Sequence, residues 1–250
     1  MNPFMLVLLA ALLLPFPAAA ETPREKAARI LNSIDDMWRG ESSHGIMLMH
    51  VKTRNYSRNL KMEGWSKGKD RSLVRIVLPL KEKDTATLKS GNDIFTYLPQ
   101  TDRTIRLTSG MMMGSWMGSH FTNDDLVKES RMLDDYHPEV TFEGMRDGMN
   151  LMEFTLLPKP ESAVVWGKII LTVRDEKIPV RELYYDEDMN LARSMTFTDL
   201  KNFSGRIIPA VLKVVPADKP DEYTEIVHES LEFNVPLRDD LFSLASLRKK

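Results

Sequence analysis

The chain has 250 residues, with 34 Lys and Arg against 36 Asp and Glu, and a formal net charge of −2. This balance gives no basis for binding nucleic acid or an anionic membrane surface through bulk charge. The chain contains no cysteine, which excludes disulfides, thiolate metal sites, cysteine nucleophiles and the acylated cysteine of a lipoprotein.

The first twenty residues have the pattern of a secretory signal peptide. An apolar run from Phe4 to Leu14 is followed by two prolines and by Ala18-Ala19-Ala20, which is an A-x-A cleavage site. We predict cleavage between Ala20 and Glu21, followed by a single domain over residues 21–250. The run is shorter than the roughly 20 apolar residues that a transmembrane helix needs. An uncleaved anchor is the alternative, because the segment before the run carries no Lys or Arg.

A helix is predicted directly after this segment. Thr22 is suited to cap it, Pro23 to its first turn and Glu25 to a capping box with Thr22. Gly40 is placed to end the helix. The apolar residues that follow at helical spacing are Ala27, Ile30, Leu31, Ile34, Met37 and Trp38.

From Ser42 to Asn234 the hydrophobic period changes from 3.6 to 2. Alternation is clear in Ile46 to Val51 and in Leu60 to Trp65, and turn residues recur at short intervals. We count about eleven strand candidates. Because their connections are short, neighbouring strands are expected to be antiparallel.

The β pattern stops between Ser109 and Asp134. Methionines, a tryptophan, glycines and serines alternate there without a regular amphipathic period. Thr122 or Asn123 is suited to cap a short helix with acidic residues in its first turn. We predict that this Met-rich segment forms a lid over a cavity in a long sheet.

In these segments the sequence resembles the outer-membrane lipoprotein-sorting proteins, which form the LolA-like superfamily. The first matching group runs from Tyr97-Leu98-Pro99-Gln100 through Arg103 and Arg106 to Gly114-Ser115-Trp116-Met117-Gly118-Ser119-His120-Phe121-Thr122-Asn123-Asp124-Asp125-Leu126. The second group is Tyr184-Tyr185-Asp186, Asp199, Gly205-Arg206, Pro209 and Leu241-Phe242-Ser243. The family pattern usually has Asp where this chain has His120.

The resemblance implies a mainly β fold with some helix, an α+β class. The expected architecture is a strongly curved, incomplete antiparallel β barrel of about eleven strands. Its N-terminal helix and short helices cover the concave side, over an apolar cavity. The resemblance also implies the periplasm of a Gram-negative bacterium and a carrier of lipids or lipidated proteins. Its expected partners are an inner-membrane exporter of the resistance-nodulation-division (RND) type and an outer-membrane acceptor.

Methionine is informative about the cavity, since thioether side chains suit pockets that accept ligands of variable shape. The predicted lid residues are Met111, Met112, Met113, Trp116, Met117 and Phe121. The predicted cavity lining is Trp65, Ile76, Leu78, Leu98, Ile105, Phe154 and Leu156. Arg103 and Arg106 are the candidates for a head-group rim, with solvent-facing strand positions as the alternative for either one alone.

Catalysis has little support. Ser119 and His120 are adjacent, but a nucleophile elbow requires Ser at the centre of G-x-S-x-G, where this chain has Trp116. The five histidines are scattered and have no metal-ligand spacing. We therefore expect no catalytic residue, metal or cofactor.

Two functions remain open from the sequence. The first is a periplasmic carrier that shields acyl chains between the inner and outer membranes. The alternative is a non-transporting sensor or interaction module that binds a membrane-protein partner. An esterase that uses Ser119 is the third and weakest hypothesis.

Overall fold

The structure, a computed structural model, describes residues 21–128, 132–162 and 164–248. The predicted signal peptide, residues 1–20, lies outside the described residues. Its predicted cleavage position, after Ala20, directly precedes the first described residue. Within the described ranges, no helix combines the length and apolarity that crossing a membrane requires.

The chain begins with helix α1 (Pro23–Asp35), which has the predicted capping box. Thr22 Oγ1 accepts the backbone N–H of Glu25 at 3.2 Å, and Glu25 Oε2 accepts the backbone N–H of Thr22 at 2.8 Å. The helix ends five residues before the predicted end at Gly40. The following residues form turns, because Trp38 leaves the helix to stack on Phe197 and to donate from Nε1 to the Pro209 carbonyl.

Thirteen strands follow within the described residues, which is two more than expected. They are β1 (Ser42–Lys52), β2 (Ser57–Lys67), β3 (Arg71–Leu78), β4 (Ala86–Ser90), β5 (Asp93–Leu98), β6 (Arg103–Arg106), β7 (Tyr136–Arg146), β8 (Met149–Pro158), β9 (Lys168–Arg174), β10 (Ile178–Tyr185), β11 (Leu191–Phe203), β12 (Arg206–Pro216) and β13 (Tyr223–Phe233). In β4 four of the five residues are buried, so the polar side chains of Thr87 and Lys89 are as buried as Ala86 and Leu88.

The strands form one antiparallel sheet in the order β6-β5-β4-β3-β2-β1-β13-β12-β11-β10-β9-β8-β7. It consists of two meanders, β1–β6 and β7–β13, which are joined where β1 pairs with β13. β6 and β7 are therefore the two edges, and the sheet is not closed into a barrel. The predicted curved half-barrel with antiparallel neighbours is confirmed.

The chain between the two edge strands must cross the open, concave side of the sheet. We call residues 107–128 the lid. It contains two short 3₁₀ helices (Ser109–Met111 and Trp116–Gly118) and helix α2 (Asn123–Lys128). Helix α3 (Met132–Asp135) then leads directly into β7, and both pack against α1.

The two faces of the sheet pack against different elements. The concave face, α1 and the lid share the large core, whose fully buried members include Ile30, Met62 and Phe154. On the outer face of β3, β4 and β5, the C-terminal segment contributes a 3₁₀ helix (Asp239–Phe242) and helix α4 (Leu244–Leu247). The smaller outer cluster consists of Leu73, Ala86, Leu88, Tyr97, Phe242 and Leu247.

Substitution of Gly45 on β1 tests the close contact between the two meanders. A Cβ at this position would lie 2.6 Å from the Ser230 carbonyl oxygen of β13, and that backbone atom has no flexible side chain to move aside. We expect Gly45→Ala to lower the free energy of unfolding by about 2 kcal/mol, the usual cost of overpacking. Urea unfolding measures this change. Gly110→Ala is the control, since its Cβ would meet no atom within 4 Å. Equal stabilities of the two variants would contradict the prediction.

Candidate functional site

The concave face, α1 and the lid line a partly open cavity of about 270 Å³. Most of its wall is apolar, and side chains from strands of both meanders contribute to it. The apolar lining consists of Ile34, Trp38, Met47, Trp65, Val74, Trp116, Phe121, Leu126, Met132, Trp166, Ile169, Met195, Phe197, Leu212, Ile226 and Leu231.

Strand alternation and register place these side chains on one face. Phe197 of β11 pairs with Leu212 of β12, which pairs with Ile226 of β13. Successive side chains of a strand point to opposite faces, so directly opposed partners share a face. This row continues into β1, where Met49 pairs with Ile226. The floor of the cavity therefore spans the junction of the two meanders.

The lid closes the cavity with two aromatic side chains. Trp116 is 4% exposed, and its Nε1 donates to Thr87 Oγ1 of β4 at 3.1 Å. Phe121 is also buried, and its carbonyl oxygen accepts the backbone N–H of Trp116 at 2.8 Å. A bridge between Ser115 and Thr122 completes this tight loop. Both rings are thus fixed over the apolar floor.

Polar contacts from the sheet hold the outer side of the lid. Arg58 of β2 donates from Nη1 to the Met117 carbonyl at 2.6 Å, and its guanidinium forms an ion pair with Glu82. Tyr56 donates from its hydroxyl to the Gly118 carbonyl at 2.8 Å. Met117 and Gly118 have φ values of 49° and 69°, a left-handed turn that turns both carbonyl groups to these donors.

The contacts of His120 and Ser119 stabilise the lid. His120 Nδ1 lies 2.8 Å from Thr224 Oγ1 of β13, and its Nε2 lies 3.4 Å from Glu222 Oε2. Ser119 is buried, and its Oγ accepts the backbone N–H of Phe121 at 3.1 Å. His120 therefore ties the lid to β13.

A buried ion pair fixes α2 to β11. Arg193 donates from Nη1 and Nη2 to the two carboxylate oxygens of Asp125, at 2.7 and 2.5 Å. Its guanidinium also lies over the rings of Trp166 and Tyr184, at 4.6 and 4.2 Å from their centroids. Burial by itself lowers the pKa of Arg193, but the Asp125 carboxylate outweighs this effect and the pKa is raised. Arg193 is therefore fully charged at neutral pH.

Asp125 also organises the start of α2. Its Oδ2 accepts the backbone N–H of Thr122 at 2.7 Å, and Thr122 Oγ1 accepts the backbone N–H of Asp125 at 3.3 Å. This is a capping-box arrangement with Asp in place of Glu. The cap predicted at Thr122 is thus combined with the ion pair to Arg193.

His228 is a polar group in the cavity wall. It lies on β13, opposite Met47 of β1, and is 9% exposed. No group among the described residues forms a hydrogen bond with its Nδ1. Burial lowers the pKa of His228 from 6.5 to about 4, so the imidazole is neutral at pH 7.

The predicted site residues occupy three kinds of position. Trp65, Trp116 and Phe121 line the cavity, although the Trp65 ring stacks on His44 and packs in the outer cluster. Residues that belong to the large core or pack against it without lining the cavity are Ile76, Met117, Phe154 and Leu156.

The remaining predicted residues lie outside the cavity. Leu98 and Ile105 are half-buried near the β6 edge, while Leu78 is 46% exposed at the end of β3. In the lid, Met111 and Met113 are exposed and Met112 is half-buried. Arg103 and Arg106 are both exposed on β6, and Arg106 pairs with Asp93 at 2.6 Å.

Several lining residues were not predicted, among them Met47, Val74, Phe197 and His228. Their selection depends on strand register, which alternation alone does not fix. One signal was present in the sequence. A single glycine within a strand pattern marks a bulge or a close approach of another group, and Gly45 and Gly64 pair directly in the cavity floor.

The fold and the cavity define a LolA-like half-barrel, and comparison with known proteins agrees. A family model described as "Uncharacterized protein" matches residues 68–249. Because the match spans most of the chain, the protein belongs to that family. Among curated proteins, no sequence matches this chain.

Solved structures with the same fold share about one residue in five with this chain. A DUF1329 family protein from Desulfovibrio piger has a TM-score of 0.81 and 20% identity, covering 90% of this chain and 99% of that chain. A LolA superfamily protein from Nitrosomonas europaea has a TM-score of 0.74 and 21% identity, covering 88% and 98%.

A third similar structure is a putative outer membrane lipoprotein-sorting protein domain from Vibrio parahaemolyticus. It has a TM-score of 0.75 and 21% identity, and the match covers 90% of this chain and 97% of that chain. The predicted resemblance to the LolA-like superfamily is therefore confirmed at the level of the fold.

We expect the Asp125–Arg193 pair to hold the lid closed. Asp125→Asn leaves the Arg193 charge buried without its carboxylate, which costs about 3 kcal/mol. Hydrogen exchange should accelerate in the lid while β1 and β13 keep their protection. Asp93→Asn is the control, because its exposed pair with Arg106 contributes about 0.5 kcal/mol. Unchanged lid exchange in Asp125→Asn would contradict this role.

His228 should make the free energy of unfolding decrease as the pH falls. The unfolded chain binds a proton at this imidazole near pH 6.5 and the folded chain only near pH 4, so acidification favours the unfolded state. From pH 7 to pH 4.5, the wild type should lose about 2 kcal/mol more than His228→Gln in urea unfolding. His137→Gln, on an exposed position of β7, should behave as the wild type does. Parallel pH profiles for the wild type and His228→Gln would disprove the assignment.

Proposed function

We propose that the protein is a periplasmic carrier that holds an acyl chain of a lipid or lipidated protein in the concave cavity. The observation that carries this proposal is the partly open, mostly apolar cavity between the half-barrel and its lid. Burial of acyl methylene groups contributes about 0.8 kcal/mol each, so affinity needs no specific polar contact with the chain. We also propose that the protein binds this ligand without catalysing a reaction on it.

The cavity volume indicates how a chain is held. About 270 Å³ is close to the lower end of ligand pockets, roughly 300 to 1,000 Å³. The cavity therefore accepts part of a long acyl chain with the lid closed, and a complete chain requires displacement of the lid. Met47, Met132 and Met195 line the cavity, and their unbranched side chains adapt to ligands of different shape.

The location and the partners are further parts of the proposal. Residues 1–20 have the signal-peptide pattern that directs export, and two of the similar structures carry the LolA or lipoprotein-sorting description. We infer that the carrier receives its ligand from an inner-membrane exporter of the RND type and delivers it to an outer-membrane acceptor.

Gly64→Leu tests whether the cavity is the binding site. A Cβ at Gly64 would lie 3.0 Å from Met47 Cε, the mobile end of a flexible side chain, so a larger residue fills the cavity at small structural cost. Native mass spectrometry with lipid extraction should find an acyl-bearing adduct on wild-type protein purified from the periplasm without detergent. We expect at least a fivefold loss of adduct in Gly64→Leu.

The control adds the same side chain elsewhere. Thr198→Leu lies at an exposed position of β11 and should retain the adduct. A wild-type chain that is free of lipid and takes up neither phospholipid nor lipopeptide would overturn the carrier proposal. That result would favour the interaction module that binds a membrane-protein partner.

A further inference from the structure

A row of polar side chains crosses one end of the cavity floor. Ser43 of β1 pairs with Ser66 of β2, Ser66 pairs with Ser72 of β3, and Ser72 pairs with Lys89 of β4. Opposed partners share a face of the sheet, and all four residues line the cavity. Ser43 Oγ and Ser66 Oγ lie 2.8 Å apart. The apolar floor thus ends on three hydroxyl groups and one ammonium group.

The adjacent row leaves space above the floor. Gly45, Gly64 and Val74 are register neighbours and line the cavity directly beside the polar row. The two glycines place no side chain over the sheet. An elongated ligand can therefore pass from the polar row along these positions toward the aromatic lid residues Trp116 and Phe121.

Positive charge is concentrated at the polar row. Lys89 is 6% exposed, and its Nζ donates to the carbonyl oxygen of Lys69 at 2.8 Å. Lys69 lies in the turn between β2 and β3, is exposed, and also lines the cavity. Two ammonium groups thus lie at the same end, one in the wall and one at the mouth. Arg71 also lines this end, with its Nη1 paired to Asp239 at 2.7 Å.

The lining carboxylates lie on other walls. Asp35 is at the end of α1, beside Arg39, whose guanidinium donates to the Asp35 carbonyl. Asp124, Asp125 and Glu182 belong to α2 and β10, and β10 is separated from β2 by four strands of the sheet. Among the described residues that line the cavity, those of β2–β4 and the β2–β3 turn include cationic groups, and the four carboxylates belong to α1, α2 and β10.

His228 lies two rows along the sheet from the polar row, opposite Met47. It is more than nine-tenths buried, it lines the same cavity, and its Nδ1 lacks a hydrogen-bond partner among the described residues. A buried polar atom without a partner is unfavourable. The Nδ1 of His228 has almost no accessible surface, so a ligand in the cavity does not reach it, and His228 is not part of the polar end.

We propose that the polar end of the cavity binds the anionic head group, a carboxylate or a phosphate, of the acyl-bearing ligand. Lys89 and Lys69 provide the charge, the serine row provides hydroxyl donors, and the chain extends toward Trp116 and Phe121. This inference rests on the proposed carrier function. It places the head group on β1–β4, whereas the sequence pointed to Arg103 and Arg106 on β6. Charge-assisted hydrogen bonds are the strong interactions that select such an anion.

Three ligands with the same C12 chain distinguish the contribution of the head group to affinity from that of the chain. Isothermal titration calorimetry compares dodecanoate and dodecyl phosphate, below their critical micelle concentrations, with dodecanol below its solubility limit. The wild type should bind at least one of the two anions about tenfold more tightly than dodecanol, since a charged hydrogen bond contributes about one factor of ten. Preference for dodecanoate would indicate a carboxylate head group, and preference for dodecyl phosphate would indicate a phosphate.

Two variants connect the preference to these residues. Lys69→Glu reverses a charge at an exposed position, and Lys89→Met retains the length of a buried side chain without its charge. Each should reduce the anion preference to about twofold or less while dodecanol binding changes little. Lys83→Glu, an exposed position in the β3–β4 connection outside the cavity, should keep the wild-type preference. If Lys89→Met does not fold, Lys69→Glu decides the question.

The outcomes distinguish this inference from the carrier proposal. Equal binding of all three ligands by the wild type would overturn the head-group site and leave the carrier function standing. An anion preference that survives both variants would also overturn the site. Absence of binding for all three ligands would overturn the carrier proposal together with this one.

Discussion

The fold depends on one topological constraint. The two meanders are joined where β1 pairs with β13, so β6 and β7 lie at opposite edges of the sheet, and the chain between them must cross its concave side. The lid is this crossing connection, and its cover of the cavity follows from the connectivity. Its anchors, Thr87, Thr224 and Arg193, come from three different strands, so lid closure and sheet curvature stabilise each other.

The outer face shows why such a sheet tolerates a cavity. The C-terminal segment packs Phe242 and Leu247 against the outer side of β3, β4 and β5, which buries β4 on both faces. Arg75 of β3 fixes this segment by donating from Nη2 to the Ser246 carbonyl at 2.8 Å. The strands that carry the polar end of the cavity therefore have a packed support behind them. Space on the concave side does not require loose packing on the outer side.

Buried polar groups in and around the cavity wall fall into two kinds. Arg193 donates from Nη1 and Nη2 to the Asp125 carboxylate and lies over two aromatic rings, and these contacts hold the lid in place. The serine row and Lys89 instead line the cavity. Polar groups in a mostly apolar cavity are costly to bury, which makes these residues informative about ligand chemistry. The first kind explains how the lid is held closed. The second supports the binding of a head group at one end of the cavity.

The sequence by itself determined the class of fold, the capped first helix, the antiparallel neighbours and the lid segment, because these depend on local periodicity, turn residues and caps. It also identified Trp116 and Phe121, which lie in a segment too irregular to be an ordinary strand or helix. The tertiary structure decided which strand residues face the cavity, since a shift of one residue in register reverses both faces. It therefore selected Met47, Phe197 and His228, and assembled Ser43, Ser66, Ser72 and Lys89 from four strands into one row.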